Sequence, residues 1–343
     1  MLNKKEAMKN LKWIDITKGI GILLVIFGHL HITNIFRQII FTFHIPLFFF
    51  IGGFLFNYNK YKKDTQLFIK NKLIRLVFPY FVTNIIILVT YYLLSFKLNL
   101  NIYPIINLIG IFYGNGAPLN PSTKFTNTIN IPSWFLLSLF CGYILLFIIA
   151  YYHEKKGTAF SCIICLFFIT IGFNLSKYVY LPWGFDIALV SMVFMYPGYI
   201  LNYHISIQKI LNLYGIKILF ILIFSFIIVL NGNVDMNIRN YNNLLLFSVG
   251  GLLGTYLTIE LSKVINRNEN TLSRFLIYIG KNSLLILLFY DFTPMIFLNI
   301  FDAFFNVKTI IYNSVILYGL NMLLFSIVTI IIIKRMPILK NIY

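Results

Sequence analysis

Charged residues make up only 11% of the 343-residue sequence, where an ordinary soluble domain carries roughly 25%. Acidic residues are the scarcest part, ten against 28 Lys and Arg. Such a chain has too little polar surface to face water on one side of a packed core, so a soluble globular protein is excluded. Cysteine is nearly absent too. Cys141, Cys162 and Cys165 all lie inside apolar runs, which argues against a disulfide framework and against a metal site. There is no P-loop, no dinucleotide-binding glycine pattern, no HExxH and no GxSxG, so the familiar soluble chemistries find no support. What is abundant is apolar. Hydrophobic residues reach 59%, in runs of about 20 that recur along the whole chain. The formal charge of +18 would point to nucleic acid in a soluble protein. Here the cations sit in gaps between apolar runs, so membrane topology explains them and no nucleic-acid partner is expected.

Windows near 20 residues, with Pro, Asn, Lys and Gly clusters marking the gaps, give ten helices. They fall near 13–33, 38–57, 73–96, 133–152, 158–175, 184–202, 214–231, 243–262, 276–299 and 309–333. The first run follows Lys4, Lys5, Lys9 and Lys12 as a signal peptide would, yet it carries Asp15 and Lys18 and shows no small-residue cleavage site, so it is expected to remain as the first helix. The stretch from Ile102 to Tyr113 is too short to span and suits a re-entrant or interfacial piece. With the amino terminus placed in the cytoplasm, only Arg37, Lys97, Lys124, Lys177, Arg239 and Lys308 fall on the outer side, and the inner connections collect nearly all the other cations. The expected fold class is an all-α integral membrane protein. It is a polytopic bundle of about ten transmembrane helices with both termini cytoplasmic, one domain over 1–343 and no soluble domain.

Ionisable groups within a span are expensive, so each is a functional candidate until a structural partner explains it. Asp15 and Lys18, three residues apart, can simply pair with each other. Pairing does not explain His29, which follows Lys18 by about three helical turns, on the same face and about 16 Å further along the axis. One helix therefore offers a cation low and an imidazole high. The plain alternative for His29 is a hydrogen bond between helices. The second helix returns with His44 beside Pro46, which frees a carbonyl, and with Gly52 and Gly53, which allow close approach. A short link makes these helices antiparallel neighbours and brings His29 and His44 to comparable depth. His44 then either completes a polar pocket or caps the backbone beside Pro46. Lys72 and Arg75, three apart on a helix entering the membrane, face the same way and suit the phosphates of a nucleotide-containing ligand. Lys62 and Lys63 require only topology and contact with anionic lipid. Asp291, near Pro294, is a further carboxylate candidate.

Taken in order, these motifs resemble the membrane acyltransferase 3 family, which includes polysaccharide O-acetyltransferases and fucose 4-O-acetylase-like proteins. Trp13 to Ile22 followed by Phe27-Gly28-His29 resembles the family's first-helix signature, a basic residue and a histidine with ten residues between. His44-Ile45-Pro46-Leu47 through Phe54 is similar to the next signature, with Gly52 where a serine is common. Lys72-Leu73-Ile74-Arg75 with Pro79-Tyr80, Ser133-Trp134-Phe135-Leu136, Tyr196-Pro197-Gly198-Tyr199 and Gly280-Lys281-Asn282-Ser283 resemble later signatures, so the likeness covers nearly the entire chain. One departure stands out: Tyr290-Asp291 occupies the neighbourhood where members often carry a late histidine.

The resemblance implies transfer of an acyl group, usually acetyl from cytoplasmic acetyl-CoA as co-substrate, to a hydroxyl of a surface polysaccharide or its lipid-linked precursor at the bacterial plasma membrane, with no metal. In that chemistry His29 acts as general base or is itself acylated, two routes the sequence does not separate. Asp15 and Lys18 organise the lower part of the first helix, and Lys72 and Arg75 hold donor phosphates. Candidate donors to the oxyanion are Trp134, His44 or backbone groups beside Pro46. Trp134 and Ser133 are the acceptor-side residues. Expected partners are the glycan acceptor and membrane lipids, and self-association is left open. The competing reading is a glycan or lipid-linked sugar exporter that performs no acyl transfer, for which helices broken at Pro46 and Pro294 would also serve.

Overall fold

An apolar run inside a bilayer can satisfy its backbone N–H and C=O groups only within itself, which selects the helix. The computed structural model describes residues 12–30, 32–98, 103–203, 214–268, 270–292 and 315–335. Among them every extended element is a helix, and β-type pairing is confined to two isolated bridges, Asn115 with Asn127 and Asp235 with Asn240. The principal helices are Lys12–Gly28, Asn34–Phe54, Thr65–Lys72, Phe78–Leu98, Pro104–Tyr113, Trp134–Leu175, Phe185–Tyr203, Tyr214–Asn231, Leu244–Arg267, Thr271–Lys281, Ser283–Phe289 and Val315–Arg335.

Five of the spans built from the described residues are long and apolar enough to cross a membrane, or six if the bent pair Thr271–Lys281 and Ser283–Phe289 counts as one. The ten-helix expectation differs from this for local reasons. The first helix, expected over 13–33, ends at Gly28 after 17 residues. There the second helix closes in, since a Cβ on Gly28 would stand 3.1 Å from both Ile40 and Phe41. The expected helices at 133–152 and 158–175 form one helical run whose backbone breaks at Gly157, at φ +82°, where glycine has little steric cost. The expected span 276–299 bends by 65° around Asn282. Pro294, His31, Lys308 and most of the expected start of the last helix lie outside the described residues. The short apolar stretch is a ten-residue helix, Pro104–Tyr113, closed by Gly114 in the left-handed region at φ +77°.

The chain divides into two compact units. The first comprises residues 1–51, 205–234 and 242–340. Its helices approach so closely that glycine is required at the crossing. A Cβ on Gly19 would collide with the Leu276 carbonyl, and one on Gly280 with the Asp15 carbonyl, so Lys12–Gly28 and Thr271–Lys281 meet backbone to backbone. Gly250 and Gly254 similarly admit Thr42 and Phe43 of the second helix.

The second unit comprises 52–204, 235–241 and 341–343. Here both limbs of the run Trp134–Leu175 pack on Phe185–Tyr203: Gly142 faces the Met195 sulfur and Gly172 faces Leu189. A cluster of aromatic rings, Phe56, Tyr61, Phe68, Tyr143, Phe147 and Tyr199, fills one end of this unit, with neighbouring centroids 4.8 to 6.4 Å apart.

Candidate active site

In the first unit, the close glycine crossing fixes the lower half of the first helix. Lys18 Nζ lies 2.7 Å from Asp15 Oδ1, with both side chains about a quarter exposed. These two charges therefore pair with each other, and Thr17 ties back to the Trp13 carbonyl at 2.8 Å.

His29 stands one residue beyond the helix, in a turn where its N–H reaches the Ile26 carbonyl three residues back. Its Nδ1 is 2.8 Å from the Val25 carbonyl oxygen. A carbonyl can only accept, so Nδ1 carries the proton and donates it. In the neutral ring the lone pair then belongs to Nε2, the nitrogen a general base needs. His29 is exposed, so that nitrogen is accessible.

His44 repeats the arrangement in a closed setting. It is buried, and its Nδ1 donates to the Ile40 carbonyl at 2.7 Å. Ile40 is not the carbonyl that Pro46 frees by lacking an N–H, which belongs to Thr42; Thr42 itself bonds back to Gln38 through its hydroxyl at 2.7 Å. Phe41 lies between the two histidines, 6.0 Å from His29 and 4.9 Å from His44, centroid to centroid. Tyr290, fully buried, brings its ring to 5.8 Å from His29 in an edge arrangement, and Asp291 beside it interacts electrostatically with His29. The residues occupying the neighbourhood of the family's late histidine thus adjoin His29.

The second unit holds the other sequence-derived candidates. Lys72 is half-buried with its ammonium 3.2 Å from the centre of the Tyr143 ring, a cation–π contact. Arg75 is exposed. A π-helical segment, Leu73–Val77, begins immediately after Lys72, and Arg75 within it still acts electrostatically on Lys72 and on Tyr143. A Cβ on Gly52 would stand 3.2 Å from the Tyr143 hydroxyl, so the glycine at the family's serine position leaves room for that ring.

Ser133 is fully buried. Its hydroxyl donates to the Asn130 carbonyl at 2.6 Å and accepts from Asn84 Nδ2 at 3.0 Å. Asn84 Oδ1 accepts from Thr128 and from the Asn130 N–H, and its amide also reaches the Tyr80 carbonyl. Trp134, only 5% exposed, starts the helix that this network anchors, with Gly116 against its indole.

Sequence reasoning missed a second buried centre in the same unit. Arg239 Nε donates to Asp186 Oδ2 at 2.8 Å, and its Nη2 donates to Asp186 Oδ1 at 3.2 Å and Asn115 Oδ1 at 3.0 Å. Nη1 donates to the Asn237 carbonyl, and the guanidinium lies 3.9 Å from the Tyr180 ring centre. Asp186 also accepts from the Leu181 N–H. Both charges are almost wholly excluded from solvent, 2% and 0% exposed. Burial raises the phenol pKa of the neighbouring Tyr180 and Tyr241, with Asp186 adding to the rise and Arg239 opposing it. In sequence, the only available signal was a lone acid and a lone base in segments 53 residues apart.

Among the described residues no group of three or more His, Cys, Asp or Glu side chains could hold a metal ion. Membrane-length apolar helices define a helical membrane protein, in which His29 presents an exposed imidazole held through Nδ1. The chain belongs to the acyltransferase 3 family: the family model described as an acyltransferase domain matches residues 11–335. No curated protein and no solved structure matches the chain.

Proposed function

We propose that this membrane acyltransferase moves an acetyl group from cytoplasmic acetyl-CoA to a hydroxyl of a cell-surface polysaccharide sugar or its lipid-linked precursor. In this reading the helices cross the plasma membrane ten times, the limbs on either side of Gly157 each counting as one crossing, and both termini are cytoplasmic. The observation that carries the proposal is His29: Nδ1 bound to the Val25 carbonyl, Nε2 free and the ring exposed.

A sugar hydroxyl is a weak nucleophile at neutral pH. Nε2 of His29 takes its proton while the oxygen attacks the thioester carbonyl carbon. As the tetrahedral intermediate collapses, the C–S bond breaks, and the CoA thiolate recovers the proton from the imidazolium. The Val25 carbonyl holds the tautomer that leaves the lone pair on Nε2. Asp15 and Lys18 fix the base of the first helix as an internal pair. Lys72 and Arg75 hold donor phosphates, while Trp134, positioned by the Ser133 network, meets the acceptor.

The test is O-acetyl content of purified surface glycan from a deletion strain complemented with wild type or His29→Ala at matched membrane levels. Loss of O-acetyl that only wild type restores is the expected result. Unchanged acetylation with less total glycan would favour an exporter and remove His29 from this role.

A further inference from the structure

We propose that Arg37 sets acceptor specificity by binding an oxyanion, a carboxylate or phosphate carried by the glycan next to the sugar that is acylated. The inference rests on the acyl-transfer reading above and adds a substrate class to it.

Arg37, Phe41 and His44 are spaced i, i+4 and i+7 and therefore share one face of the second helix. The Arg37 guanidinium sits 4.9 Å from the Phe41 ring centre, and that ring also adjoins the imidazoles of His44 and His29. One benzene ring thus adjoins an exposed guanidinium and both imidazoles. Lys18, Lys62, Lys217, Lys263 and Arg239 each have a carboxylate partner, but among the described residues no carboxylate pairs with Arg37. The first turn of its helix contains no acidic residue, and that turn is the positive end of the helix dipole. The dipole disfavours a lone cation at this end and favours an anion bound there. A guanidinium resting on a ring keeps its N–H edge available for two parallel bonds to a carboxylate or phosphate. An anionic group bound there places a neighbouring hydroxyl of the same glycan beside His29.

The test uses the full-length protein in phosphatidylcholine vesicles with labelled acetyl-CoA. The acceptors are three forms of the strain's own de-O-acetylated glycan: untreated, carboxyl-reduced and dephosphorylated. Wild type should show at least a tenfold higher KM for whichever treated glycan has lost the recognised anion, with kcat retained, and this identifies carboxylate or phosphate as the source. Arg37→Gln should show that raised KM on untreated glycan and no further loss on treated glycan. Arg37→Lys should recover part of it. Equal losses for Arg37→Gln on all three glycans would overturn the inference and assign Arg37 to lipid phosphate or to folding. Wild type indifferent to both treatments would also overturn it while leaving acyl transfer intact. Absence of transfer by wild type to any glycan would overturn both readings.

Discussion

The Arg239–Asp186 centre of the second unit and His29 of the first are held in opposite ways. In the second, Arg239 and Asp186 are sealed from solvent and exchange a bidentate contact, and Asn115, Asn237 and Leu181 occupy much of what remains of their hydrogen-bonding capacity. In the first, His29 uses one nitrogen to fix itself to its own helix and leaves the other exposed. A charge whose donors and acceptors are taken up contributes order but is not available for reaction, whereas a ring held at one nitrogen and open at the other is suited to proton transfer. The Asp186–Arg239 pair is thus the clasp of the loops around 115, 181 and 237, and His29 is the group left open, to which the proposed function assigns the proton transfer.

The comparison is broken most forcefully at the clasp. Arg239→Met should cost about 3–5 kcal/mol, because it strands a buried carboxylate, and the double variant Arg239→Met with Asp186→Leu should recover much of that. Thermal melting in detergent reads both; a double variant no better than the single would show that the remaining hydrogen bonds dominate. In the first unit, Gly280→Ala forces a Cβ onto the Asp15 carbonyl and should cost about 1–3 kcal/mol, lowering activity by moving the first helix. A wild-type rate and melt would show that this crossing yields more readily than its geometry implies. Ser133→Ala removes one partner of Asn84 and should cost about 1–2 kcal/mol in the second unit without changing KM for acetyl-CoA. A changed KM would move Ser133 from anchoring to binding. The smallest effect concerns pH. The raised pKa of Tyr241 keeps its phenol neutral in the fold after the unfolded chain begins to ionise, so its contribution is complete below pH 10 and is lost as pH rises through the folded value. Tyr241→Phe should therefore flatten the decline of melting temperature above pH 10; an unchanged slope would assign that decline to other tyrosines.

The apolar runs made most of the helices legible, because period and length are local properties. The break at Gly157 falls in a gap that the apolar pattern already left between two expected helices. The early end of the first helix at Gly28 was not legible, since it depends on where Ile40 and Phe41 arrive. The bend at Asn282 and the π-helical segment after Lys72 were missed for another reason: each is a local departure inside an otherwise regular apolar pattern. At the site, His29 and His44 stood out as costly residues in apolar helices, and the Asp15–Lys18 pairing followed from their spacing. The Arg239–Asp186 clasp and the Asn84 network did not, because each joins residues far apart in sequence whose separate segments look like ordinary polar loops.

The most direct measurement compares wild type with His29→Ala, purified, matched in melting temperature and reconstituted in vesicles, following both CoA thiol release and labelled acetyl on the strain's de-O-acetylated glycan. Removing a positioned general base is worth typically 10²–10⁴ in rate, so both signals should fall together by about that factor. Wild-type rates of both signals from His29→Ala would contradict the account.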